Sequence, residues 1–149
     1  MAATPTDVFT ITGSATKTIM IRHISVDGTQ TTNFNRSVLL IKRSTANSAG
    51  TSTTLTNVPF DSTSAAATAT VRAYTANPTL GTTVGTIHSE KVFIPAATAL
   101  GNDWRFESPT DLEVQSVTLR GTSEVLSVNF NSVTSAGNSM NFDIVWTEE

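Results

Sequence analysis

The chain contains no cysteine. Disulfides and cysteine-ligated zinc are therefore excluded, and the redox compartment leaves no mark on the composition. Charge is scarce. Asp, Glu, Lys and Arg make up 14% of the 149 residues, against about 25% in an average domain. The net charge is −3 and the sequence pI is about 5.3. Arg36, Lys42 and Arg43 form the densest positive cluster. Three cations are too few to neutralise the phosphates of a duplex, so nucleic acid is not an expected partner. No apolar run approaches about 18 residues, so no membrane span is expected. Residues 1–10 lack a basic stretch followed by an apolar core, so no secretory signal is expected there. No long segment carries a 3.6-residue hydrophobic period, which disfavours α/β architectures.

What is present is a globular balance. Hydrophobic residues are 38% of the chain and the mean hydropathy is −0.02. This suits one domain with one core. Thr and Ser together fill about 30% of the positions. Thr is β-branched and sits well on a pleated, half-exposed surface. A surface of Thr and Ser fits an extracellular or virion β-protein better than a cytosolic enzyme. No repeat or linker divides the chain, so residues 1–149 read as a single β-sandwich domain. A short N-terminal arm, residues 1–6 (MAATPT), precedes it, because Pro5 keeps this segment from joining a central strand.

Short strands alternate with turn clusters along the chain. Residues 8–12 (VFTIT) end at Gly13-Ser14, and 18–26 (TIMIRHISV) end at a turn signal, Asp27-Gly28. Residues 37–42 (SVLLIK) read as a central strand covered on both faces. Residues 44–54, rich in Ser, Thr, Gly and Asn, read as a long surface loop of the kind that carries function. Strands follow at 68–75 and 84–94, the latter bent near Gly85. Trp104 and Phe106 share one face of an extended segment, and strands follow at 112–120 and 124–131. Met140, Phe142, Ile144 and Trp146 alternate with Asn141, Asp143 and Thr147, the cleanest period-two signal in the chain. A helical turn over 62–67 and an alanine-rich loop are equally consistent with that stretch. The pattern predicts an all-β fold: an antiparallel two-sheet β-sandwich, with a jelly roll as the expected topology. Ile19, Ile21, Leu39, Ile41, Val71, Val117, Leu119, Leu126, Val128, Phe142, Ile144 and Trp146 are expected to supply much of the core.

The chemical inventory argues against an enzyme. There is no Cys nucleophile and no GxSxG elbow. His23 and His88 lie in separate strands and form neither HxH nor HExxH, so each reads as a strand histidine rather than a ligand. No catalytic, cofactor-binding or metal-binding residue is assigned, and no cofactor is expected. The segment 13–18 (GSATKT) lacks the glycine before the lysine that a phosphate loop requires, and a strand follows it where a helix should open. Asp111 and Glu113 share a face if extended, but near Pro109 they read as a solvated strand entry. Asn35-Arg36-Ser37 matches the N-glycosylation acceptor, a pattern common by chance. Tyr74, Trp104 and Trp146 would suit a sugar-stacking platform. Trp146 continues the apolar face of the last strand and reads as core, which leaves Trp104, amid Asn102, Asp103 and Arg105, as the better candidate for exposure.

Four segments resemble a family of small tailed-bacteriophage virion proteins. They are 71–82 (VRAYTANPTLGT), 42–53 (KRSTANSAGTST), 119–130 (LRGTSEVLSVNF) and the closing 145–149 (VWTEE). The resemblance spans most of the chain. It implies a virion structural protein, and by analogy a capsid decoration (cement) protein on the capsid exterior. Such a protein bridges major capsid protein subunits and stabilises the head; many of these proteins are jelly rolls and many are trimers. The expected partners are the major capsid protein and the chain itself, as a homotrimer. No functional residue carries over, because no chemistry attaches to the motifs. The alternative is a tail or fibre-associated module that recognises a host surface glycan.

Overall fold

The computed structural model describes residues 6–29, 31–94, 96, 104–108, 116–131 and 139–149. Ten strands occur among them and no helix: β1 (Thr6–Thr12), β2 (Ile19–Thr29), β3 (Phe34–Arg43), β4 (Ser52–Thr54), β5 (Thr70–Tyr74), β6 (Thr83–Ile94), β7 (Trp104–Glu107), β8 (Thr118–Leu119), β9 (Val125–Phe130) and β10 (Ser139–Glu148). The larger sheet has the order β4-β5-β1-β9-β3-β6. In the smaller sheet β2 is flanked by β10 on one side and pairs with β7 and β8 along its length. Every pairing is antiparallel. The fold is therefore the antiparallel two-sheet sandwich that the strand pattern predicts. The jelly-roll refinement is not confirmed: β4 and β5 lie beside β1 at the edge of a six-stranded sheet.

Burial follows position in the sheets. β1 and β9 occupy the middle of the larger sheet, and both are buried along almost their whole length. On β9, Leu126, Val128 and Phe130 face the core, while Val125, Ser127 and Asn129 face away from it yet stay buried. From Leu126 to Phe130 the sequence still alternates apolar and polar, although every residue of the strand is buried. β10 lies at a sheet edge and shows the half-buried alternation instead. The core joins Phe9, Ile11, Val38, Leu40, Val71, Leu126, Val128 and Phe130 of the larger sheet to Ile19, Ile21, Ile24, Val26, Trp104 and Leu119 of the smaller. Phe142 of β10 stacks on Phe9 at a centroid distance of 5.0 Å, tying one sheet to the other. Each such side chain contributes about 1.5–3 kcal/mol on full burial. The half-buried pair Lys42–Glu124, at 3.3 Å, contributes about 1 kcal/mol. Apolar burial therefore dominates.

Most of the expected core residues take that place, with Val117, Phe142, Ile144 and Trp146 partly buried against the cluster. β3 is the exception. Val38 and Leu40 point into the core, whereas Leu39 is half-buried and Ile41, though buried, lies outside the cluster. An unbroken apolar run has no parity, so VLLI alone does not say which alternate pair faces inward. The turn expected at Asp27-Gly28 is also absent. β2 runs through it to Thr29, with Asp27 opposite Asn141 and Gly28 opposite Met140. Gly28 serves close approach: a Cβ there would sit 2.2 Å from the Ser139 carbonyl oxygen. The bend expected near Gly85 is met, since the β3–β6 register shifts on both sides of it. Residues 62–67 form no helix. A single turn, Ser64 N–H to the Asp61 carbonyl at 3.0 Å, is all that remains. Of the expected 112–120 strand, 112–115 lie outside the described residues and only Thr118–Leu119 of the rest are strand; most of the 1–6 arm also lies outside them, and Thr6 already belongs to β1.

Candidate functional site

The outer face of the larger sheet carries a buried polar network. Asp7 projects from β1 and is fully buried. Its carboxylate accepts two bonds from Arg43, Nε to Oδ2 and Nη2 to Oδ1, both 2.7 Å. It also accepts from Asn47 Nδ2 at 2.8 Å and from Asn129 Nδ2 at 2.7 Å. Arg43 Nη1 donates to the Gly81 carbonyl at 3.0 Å and to Thr83 Oγ1 at 2.7 Å. Asn47 Oδ1 in turn accepts the Gly81 N–H at 2.9 Å. Bidentate geometry and added donors are what allow a buried ion pair to offset its desolvation. Burial on its own would raise the Asp7 pKa. The bonds from Arg43, Asn129 and Asn47 outweigh it and hold the carboxyl below its ordinary value. The network pins two loops, 44–51 and 75–82, over the sheet. A bridge between Ser48 and Thr79 joins them, and Gly81 packs so closely that a Cβ would meet the Thr45 carbonyl oxygen at 1.9 Å.

Beside this network lies a pocket of about 220 Å3, lined by Thr10, Thr12, Ala46, Asn47, Thr70, Arg72, Tyr74, Thr122 and Val125. Strand alternation builds it. Thr70, Arg72 and Tyr74 take the outer face of β5 because Val71 and Ala73 turn to the core. Thr10 and Thr12 stand opposite Arg72 and Thr70 on β1. No carboxylate lines the pocket.

A second feature is the loop between β4 and β5. Within it Val58 is 80% exposed and Phe60 is 93% exposed. The loop is nonetheless held locally. Asn57 Nδ2 donates to the Ala69 carbonyl at 2.8 Å, and Asp61 Oδ1 accepts from Thr63 N–H and Oγ1 at 2.8 and 2.7 Å. Those bonds, the backbone one first, keep the exposed Asp61 carboxyl below its ordinary pKa. At the base of the loop Glu148 accepts from Thr68 N–H and Oγ1, from Ala69 N–H, and from Trp146 Nε1. Glu148 belongs to the smaller sheet and the 68–69 segment leads into the larger one, so this carboxylate latches the sheets together. Desolvation alone would raise its pKa; the bonds from Trp146, Thr68 and Ala69 outweigh that and lower it.

The sequence-derived candidates are scattered. His23 pairs with Glu107 across the β2–β7 ladder, at 3.8 Å. His88 sits between the sheets, its ring 5.8 Å from Trp104 and 5.9 Å from Phe106. Both are strand histidines, as expected. No group of three or more His, Asp or Glu that could hold a metal occurs among the described residues. Trp104 corrects the expectation that it is the aromatic best placed for exposure: it is 2% exposed, because it shares the inner face of β7 with Phe106. Tyr74 and Trp146 lie on different sheets, so no three-ring platform forms. The positive cluster is dispersed. Arg36 is buried with its guanidinium 4.5 Å over the Phe130 ring and its pKa lowered by desolvation; Arg43 is held by Asp7; Lys42 donates to the Thr118 carbonyl. Asp111 and Glu113 lie outside the described residues.

The expected 44–54 loop is shorter than read, because 52–54 form β4; the network anchors the remaining 44–51, and the network itself escaped sequence reasoning. Its one visible trace was a lone carboxylate, Asp7, beside an apolar strand. Comparison with protein-family models, curated proteins and solved structures gave no match.

Proposed function

We propose that this chain is a virion structural protein of a tailed phage, and that it decorates the capsid exterior by bridging major capsid protein subunits. The observation that carries the reading is the loop between β4 and β5. Phe60, at 93% exposure, and Val58, at 80%, are presented on a segment whose backbone is already held by hydrogen bonds. An exposed aromatic on a pre-organised loop is the usual form of a protein-docking anchor, since little ordering entropy remains to be lost on binding. The resemblance of four segments to tailed-phage virion proteins supports the choice of partner. A homotrimer placed on a three-fold capsid position would repeat the Phe60 contact three times and turn a weak contact into a tight one.

The test uses capsids lacking the protein. The wild-type chain is expected to bind them at saturating stoichiometry, and Phe60→Ser is expected to weaken binding by about 30-fold or more per site. No binding of wild-type protein would remove the decoration role. Light scattering at micromolar concentration reads the free state, and a monomeric mass there would contradict the trimer.

A further inference from the structure

We propose that the outer-face pocket beside the Asp7–Arg43 network binds the terminal sugar acid of a glycan chain, a single pyranose ring bearing a carboxylate. At about 220 Å3 it is below the roughly 300 Å3 at which drug-sized sites begin, and suits one ring rather than an extended ligand. Its walls are unusually rich in hydroxyls: Thr10, Thr12, Thr70 and Thr122. None of the four side chains has a hydrogen-bond partner among the described residues. Thr10 is the most buried of the four, at 2% exposure, and the other three are more open to a ligand. Hydroxyls both donate and accept, as the hydroxyls of a sugar require.

Arg72 supplies the charge. It stands opposite Thr10 on the neighbouring strand, and its guanidinium has neither an ion pair nor a hydrogen bond among the described residues. With no acidic residue in the lining, the cation is uncompensated there. A guanidinium presents a planar fork that fits a carboxylate with two parallel bonds. One arginine matches one negative charge, which favours a carboxylate over a dianionic phosphate. Asn47 is held at both ends of its amide, Nδ2 donating one hydrogen to Asp7 and Oδ1 accepting from Gly81, which leaves its second Nδ2 hydrogen for a ligand. It also fixes the wall. The pocket uses residues other than the Phe60 loop, so the proposal stands or falls independently of capsid decoration.

The probes are methyl β-D-glucuronide, capped at its anomeric oxygen as in a glycan, free D-glucuronate, D-glucose and acetate. Each is titrated against the full chain by ligand-observed NMR and calorimetry. Both glucuronates are expected to bind, with glucose and acetate each at least about tenfold weaker. Arg72→Gln is expected to reduce glucuronate to the level of glucose, with its melting temperature unchanged since the side chain is exposed. Thr70→Val is expected to weaken glucuronate several-fold and to leave acetate unaltered. Equal binding of acetate would reduce the site to a bare anion site, and equal binding of glucose would remove the role of Arg72. Loss of the capped sugar alone would overturn the chain-end assignment. No glucuronate binding at tens of millimolar would overturn the proposal.

Discussion

Asp7 is one carboxylate that accepts four bonds, and its worth lies in what its loss would leave behind. Asp7→Ala removes the partner of a buried guanidinium and strands Asn47 and Asn129. The expected cost is about 3–5 kcal/mol, read as a lower denaturation midpoint. Replacing both partners, Asp7→Leu with Arg43→Met, is expected to cost less than Asp7→Ala alone, because no buried charge remains unpaired. The pH dependence has a defined sign. The folded pKa values of Asp7 and Glu148 lie below their ordinary ones, so the unfolded chain binds protons first as pH falls. Their contribution is complete above the ordinary carboxylate range, about 4, and is lost progressively as pH falls below it towards their folded values. Melting temperature is therefore expected to fall on acidification below about pH 4, and Asp7→Asn should flatten that limb. Gly81→Ala is the steric counterpart. A methyl group at 1.9 Å from the Thr45 oxygen forces the two loops apart, and unfolding should be detected first as protease cleavage within 44–51.

Strand β3 offers the sharpest element-level test. Leu40 is fully buried in the core and Leu39 is not. Leu40→Ala is expected to cost about 2–5 kcal/mol, and Leu39→Ala markedly less; equal losses by chemical denaturation would refute the register. The same element shows why part of the fold was legible and part was not. β10 could be read directly, because Met140, Phe142, Ile144 and Trp146 recur at every second position on an edge strand, with polar Asn141, Asp143 and Thr147 among them and only Val145 breaking the alternation. β3 could be located but not oriented, because all of Val38 to Ile41 is apolar. Gly28 was read as a turn because its sequence neighbours suggest one, whereas the reason for the glycine is the Ser139 carbonyl of a strand more than a hundred residues away. The candidate site was the least legible part. Asp7, Arg43, Asn47 and Asn129 are brought together only by sheet pairing, and the pocket hydroxyls come from β1, β5 and a turn at Thr122. Spacing along the chain carries no trace of such a meeting. A high Thr content signals a pleated surface but not which threonines converge.

The whole molecule is two sheets sharing one core, and the chain passes repeatedly between them. β1, β3 and β9 lie in the larger sheet; β2, β7, β8 and β10 lie in the smaller. No contiguous stretch therefore completes either sheet. The middle of the larger sheet is the pairing of β1 with β9, with Thr6 opposite Phe130. This architecture bears on how the protein is made. During synthesis the first strand is made more than a hundred codons before its central neighbour. Until residue 130 emerges, β1 and β3 have apolar surface and unpaired backbone on the sides that β9 will fill. Folding is then expected to be post-translational and slow, in the millisecond-to-second range typical of non-local β topologies. A chain arrested at residue 124 is expected to remain protease-sensitive, and one released through 149 to become resistant in a single step. In a crowded cell that waiting interval is the period of greatest risk of aggregation, so yield should rise as translation is slowed or temperature lowered.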